Sequence, residues 1–146
     1  VLYVITGPPA AGKSSWIQAR ANARDIVIDL DRITLAFTGP GAPQWNHDPI
    51  ANKVALRARH AAIDEAVKHL DQVDVYVIHT MPSPQARTNY RRLGAEIITV
   101  DPGEAVVRER VKAMRSPAMD RVVSRWYGKY RKGGSRPITG QASRSW

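Results

Sequence analysis

The chain reads as an α/β protein, a three-layer arrangement in which a parallel sheet of about four strands carries helices on both faces. Three observations point there. Four short stretches, 1–6, 25–30, 73–80 and 96–100, are β-branched and almost continuously apolar. That pattern marks strands covered on both faces, whereas a sheet with one wet face would alternate. Helical patterns separate each stretch from the next, and this order calls for right-handed crossovers between parallel neighbours. The first strand also runs through a Gly/Pro-rich loop straight into a helical segment.

In chain order, the first helix is expected over 13–23 and a short helical piece over 31–37. Residues 38–49 are so rich in Gly, Pro, Asn and Asp that they must form a loop. The longest helix is expected over 50–70, with Val54, Ala58, Ala61, Ala62, Ala66 and Leu70 near its buried face. Pro82 and Pro84 break the chain after the third strand, and a short helix over 85–93 stops at Gly94. Asp101-Pro102-Gly103 opens a helix reaching Met114. Ser116 and Pro117 are placed as N-cap and first turn of a last helix that ends near Tyr130. Trp16, Val4, Ile5, Val75, Val77 and Ile98 are assigned to the core.

The 146 residues suit one domain, expected over 1–130, followed by a basic flexible tail or linker over 131–146 opened by Gly133-Gly134-Ser135. No apolar run approaches the length of a membrane span, and no leader pattern is visible at the start, so no membrane contact and a cytoplasmic setting are expected. The absence of an initiator Met suggests a trimmed start, and the linker suggests a piece of a longer protein. With no cysteine in the chain, disulfides and thiolate metal sites are excluded. The net charge is +9, of which +5 falls in residues 129–146. Such a balance suits nucleic acid or a polyphosphate, or a solvated basic surface.

The first strand ends in Gly7-x-x-x-x-Gly12-Lys13-Ser14. The glycines let the backbone turn tightly and approach an anion. The intervening Pro8, Pro9, Ala10 and Ala11 would present their main chain to phosphate oxygens, and the helix that follows would aim its positive end at the same point. In such a loop Lys13 reaches the terminal phosphates of a nucleoside triphosphate and the Ser14 hydroxyl holds Mg²⁺. Ser15 continues the loop into the helix. Strand before and helix after are the context this motif requires.

Phosphoryl transfer also needs a base and cations. The second strand ends in Asp29-Leu30-Asp31-Arg32, at the carboxyl edge where open parallel sheets bind ligands. Asp31 is the candidate base for an acceptor hydroxyl, or else a helix N-cap; Asp29 is the candidate for holding Mg²⁺ through water. The third strand ends Ile78-His79-Thr80 without an acid, which argues against a motor-type ATPase or a GTPase and favours a small kinase. His79 either touches the acceptor or is a polar residue at a loop start. Arg108, Arg110, Lys112, Arg115, Arg121 and Arg125 surround a helix–helix joint, where Arg115 could close on the transferred phosphate. Trp45 either stacks on a base or plugs its loop onto the body. Arg57, with His60 on the same face of the long helix, is a further candidate for contact with the acceptor.

The Gly7-to-Trp16 segment, Asp31, the Thr80-Met-Pro-Ser-Pro84 stretch with Arg87, and Arg115 ahead of the Trp126-Tyr127 helix together resemble one P-loop kinase family. That family includes the bacteriophage polynucleotide 5′-kinase domain, adenylate kinase, zeta toxins and antibiotic phosphotransferases, and the similarity spans about residues 1–130. The resemblance implies ATP and Mg²⁺, Lys13 and Ser14 at triphosphate and metal, Asp31 as general base, Arg115 as lid arginine and strand order 2-3-1-4. Two departures fall on the acceptor side. Thr34 stands where the family often has an arginine gripping the acceptor's phosphate, with Arg32 nearby, and His79 stands where the polynucleotide kinases have an acid. The expected activity is transfer of the γ-phosphate of ATP to a hydroxyl, foremost the 5′-hydroxyl of DNA or RNA. The alternatives are a nucleoside, nucleotide or other small-molecule kinase, and an ATP-gated nucleic-acid-binding module.

Overall fold

The structure is a computed structural model that describes residues 1–114 and 116–132. Arg115, the 133–135 linker and most of the basic tail lie outside the described residues. Strands β1 (Leu2–Thr6), β2 (Ile26–Asp29), β3 (Val75–Ile78) and β4 (Glu96–Thr99) form one sheet in the order β2-β3-β1-β4. Every pairing is parallel. The helices are α1 (Lys13–Gln18), α2 (Leu30–Phe37), α3 (Pro49–Ala66, continued by a 3₁₀ turn over Val67–His69), α4 (Pro84–Arg92), α5 (Glu104–Ala113) and α6 (Pro117–Lys132).

Alternation along the strands builds two cores. Ile5 and Tyr76 face one side of the sheet, where Trp16 and Ile17 of α1, Val107 and Val111 of α5 and Val123 and Trp126 of α6 cover them. Leu2, Val4, Ile28, Val75 and Val77 face the other, beneath Ile63 and Ala66 of α3 and Tyr90 of α4. The central strands β1 and β3 are buried on both faces and carry no polar alternation, while β2 and β4 at the edges are partly exposed. Among the described residues no helix is long and apolar enough to cross a membrane.

Several boundaries differ from expectation for local reasons. The first helix stops at Gln18, not Ala23, because the Asp25 carboxylate accepts from Asn22 N at 2.8 Å and sets a turn that competes with the helix. The second strand ends at Asp29, whose side chain caps α2 by accepting from Asp31 N at 3.1 Å. Asp29, rather than Asp31, is therefore the N-cap. The buried face of α3 is Ala55, Arg59, Ile63 and Ala66; Val54 and Ala61 are exposed. Counting only apolar residues shifted that face by one position, because the true stripe contains an arginine. The last helix continues past Tyr130 to Lys132, and Ser116 Oγ accepts from Met119 N at 3.2 Å as an N-cap should.

Long-range ties hold the sheet's carboxyl edge together. The indole of the fully buried Trp126 donates to Thr80 O at 2.9 Å, linking α6 to the exit of β3. Tyr127 donates to the buried Asp101 carboxylate at 2.6 Å, linking α6 to the exit of β4. Gly7 sits where β1 leaves the sheet, at φ 144°, and a Cβ there would stand 2.1 Å from Val100 O. Backbone must move to admit any side chain. Gly7→Ala should cost about 3 kcal/mol or more, from clash and disfavoured φ combined. Gly39→Ala, with open space around it, should stay within about 0.5 kcal/mol. Urea-denaturation midpoints of the two variants check the contrast.

Candidate functional site

The loops after β1, β2 and β3 meet at one edge of the sheet, because all strands are parallel and β3 lies between β1 and β2. They enclose a cleft of about 590 Å³. One wall is the loop from Pro9 to Ser14. Its path needs positive φ at Ala10 (60°) and Gly12 (98°), the first of these uncommon for a residue with a Cβ. Arg110 Nη1 of α5 donates to Ala10 O at 3.0 Å and ties the loop's apex to the body.

Lys13 begins α1 and turns back across the loop. Its Nζ donates to Gly7 O at 2.9 Å and Pro8 O at 2.7 Å. The residue is 9% exposed and makes no ion pair among the described residues. Burial pushes its pKa down to about 8, against the pull of Asp29 and Asp31. Two carbonyls solvate the ammonium but leave its charge uncompensated.

The second wall carries the carboxylates. Asp29 and Asp31 both line the cleft; one caps α2 and the other lies in its first turn. Burial, and next the Asp31 charge, raise the Asp29 pKa above its ordinary value. Asp31 Oδ1 lies 2.9 Å from His47 Nε2. The His47 side chain is 4% exposed and that of Asp31 50%, so the imidazole is fixed and the carboxylate is open. His47 Nδ1 is buried without a partner. Nothing in the spacing of the irregular 38–49 loop marks His47 as the partner of Asp31.

The remaining wall is a hydrogen-bonded chain. Arg59 Nη2 donates to Tyr90 OH at 2.9 Å, and Tyr90 OH lies 2.9 Å from His79 Nδ1. Burial, reinforced by Arg59 and Arg87, lowers the His79 pKa to about 4. His79 is thus neutral near pH 7.

Of the residues singled out in the sequence, Pro9, Ala10, Ala11, Gly12, Lys13 and Ser14 line the cleft, and so do Asp29, Asp31, Trp45 and His79. Gly7 and Pro8 are the buried stem of the loop, and Ser15 is exposed outside the cleft. Three acceptor-side candidates are elsewhere. Thr34 is fully buried, with Oγ1 bonded to Leu30 O at 2.7 Å one turn back. Arg32 and Arg57 are exposed and do not border the cleft. The arginine of α3 that does is Arg59, two residues from the expected Arg57. Arg108, one of the helix-joint cations, is engaged by Glu104 and Asp120 at 3.2 and 3.1 Å.

The fit to a nucleotide's phosphates rests on Lys13, a buried cation whose carbonyl contacts an anion could replace. For Mg²⁺ the available groups are the exposed Ser14 hydroxyl and the Asp29 carboxylate, both on the cleft. That small set suits an ion that takes one or two protein ligands and completes its shell with phosphate oxygens and water. No family model matches the chain, and no curated protein matches it.

The buried ammonium has a consequence for stability. Between pH 8 and 10.5 the folded state has lost the Lys13 proton and the unfolded state still holds it, so unfolding free energy rises with pH across this window. Below pH 8 the full cost of the buried charge, roughly 3 kcal/mol, is present. Lys13→Met should therefore be more stable than the parent at pH 7, and the gap should shrink between pH 8 and 10.5. Urea titrations of both proteins across that range measure it.

Proposed function

We propose that this chain is a P-loop phosphotransferase that uses ATP and Mg²⁺ to phosphorylate a hydroxyl, with the 5′-hydroxyl end of DNA or RNA as acceptor. The observation that carries the reading is the uncompensated Lys13 charge, buried in a glycine-bounded loop that shares one cleft with the open carboxylate of Asp31. A structural lysine would be paired with a carboxylate; two carbonyls leave the charge of this one to be met by an anion.

Bound Mg²⁺–ATP would supply the activated phosphoryl group and the metal's charge neutralisation. Lys13 would exchange its bonds to Gly7 O and Pro8 O for phosphate oxygens, and main-chain amides of the loop would join it there. Asp31 would take the hydroxyl proton as the new O–P bond forms and the bridge to ADP breaks. His47 holds one oxygen of Asp31 and leaves the other for that proton. Trp45, half-buried in the cleft wall, offers a ring for a base, and the +9 net charge favours a polyanionic acceptor.

Labelled ATP with a 5′-hydroxyl oligonucleotide, beside a panel of nucleosides and small hydroxyl compounds, tests the reading. Label should move to the oligonucleotide. Asp31→Asn should lower kcat about 10²–10⁴-fold with ATP affinity within about threefold, and Lys13→Ala should lose nucleotide binding. Undiminished turnover in Asp31→Asn would remove the base assignment. ATP-dependent oligonucleotide binding without any label transfer would point to a nucleotide-gated binding module instead.

A further inference from the structure

We infer that Arg110 is a positioning residue for the phosphate loop, holding the peptide plane between Ala10 and Ala11 in the orientation that anion binding needs. The inference rests on the phosphoryl-transfer reading of that loop. It assigns Arg110 to the loop's main chain and not to the transferred phosphate.

Ala10 sits at φ 60°, a left-handed conformation that its Cβ disfavours and that glycine adopts freely. A loop containing such a residue keeps its shape only where its neighbours fix it. Two hydrogen bonds fix the peptide plane that follows Ala10. Its carbonyl accepts from Arg110 Nη1 at 3.0 Å, and its N–H, that of Ala11, donates to Pro8 O at 3.3 Å. Carbonyl and N–H point opposite ways in a trans peptide, so the plane is held from both sides. The bond from the charged donor is the shorter and stronger of the two. Without Arg110 the plane is free to turn over, which returns Ala10 to negative φ and redirects the Ala11 N–H.

Anion binding increases the demand on this brace. Lys13 Nζ ties the loop's stem through Gly7 O and Pro8 O, and a phosphate that draws Lys13 away removes both ties. The bond from Arg110 is not among them. Its base is firm, because Val107 and Val111, on either side of Arg110 in α5, are buried in one core with Trp16 and Ile17 of α1. The helix that starts in the loop and the helix that braces it therefore move as one body. Arg110 is exposed and enters no ion pair among the described residues, whereas Arg108 on the same helix is engaged by Glu104 and Asp120.

A double-substitution cycle separates a brace from a charge placed directly on phosphate. In calorimetric titrations with a non-hydrolysable ATP analogue, Arg110→Met should weaken binding about tenfold, the worth of one charge-assisted hydrogen bond. In an Ala10→Gly background, where the left-handed turn is no longer strained, the same substitution should cost less than about threefold. Lys112→Met removes an exposed cation of the same helix and should stay within about threefold of the parent. Amide exchange followed by NMR supplies an arm without nucleotide: Arg110→Met should speed exchange at Ala11 about tenfold and leave the buried Val77 of β3 unchanged. The inference is overturned if Arg110→Met costs nothing, or costs the same in both backgrounds, which would put its charge on the phosphate. It is overturned too if Lys112→Met weakens the analogue as much, or if exchange at Val77 rises together with that at Ala11, which would make Arg110 a support of the whole fold. A parent protein that binds no analogue defeats the phosphate-loop reading, while exchange at Ala11 in the two backgrounds still decides the role of Arg110.

Discussion

Lys13 carries its charge into the protein and meets only the loop that delivers it. Its two partners are main-chain carbonyls, which can hold an ammonium but cannot neutralise it. The surrounding structure serves to keep the loop in the shape that makes this possible. Gly7 presses against Val100 O so closely that no side chain fits, Arg110 pins the apex at Ala10 O, and Gly7 N donates to Thr80 O at 3.3 Å. Each contact comes from a different element, so the loop's shape depends on the sheet order and on α5 together.

The rest of the cleft follows the same electrostatic logic. Asp29 and Asp31 are close enough to Lys13 to favour its charged form, yet neither forms an ion pair with it. Asp29 is occupied as a helix cap, and Asp31 is held by His47. Across the cleft, Arg59 is steadied by a phenol and a neutral imidazole. The cations Lys13 and Arg59 and the carboxylates Asp29 and Asp31 thus lie in one cleft, each hydrogen-bonded to some other group rather than to one another. Direct pairing would have quenched both, and the cleft would have nothing left to offer a charged ligand.

The local parts of this arrangement were legible in the chain. The Gly7-to-Ser14 turn between strand and helix, the acids at the exit of the second strand, and the Ser116-Pro117 helix start are patterns of neighbouring residues, whose physics acts over a few positions. The misplacements have equally specific causes. Thr34 follows the second strand closely enough to suggest an acceptor contact, but its hydroxyl bonds one turn back and the residue is buried. Spacing with His60 points to Arg57, whereas the cleft is bordered by Arg59, because α3 buries an arginine that apolar periodicity does not place. His47 carried no signal, because an irregular loop has no period from which to read a direction.

Sequence alone determined the alternation of strands and helices, the buried character of β1 and β3 and the position of the glycine-bounded loop, since each depends on residues adjacent in the chain. Tertiary structure decided which side chains share the cleft. Asp31 meets His47 across 16 residues, His79 meets Tyr90 across 11, Arg59 meets Tyr90 across 31, and Arg110 meets the loop across 100. Those separations are closed only when the parallel sheet brings its carboxyl ends to one edge, and no local pattern encodes a partner that the fold itself supplies.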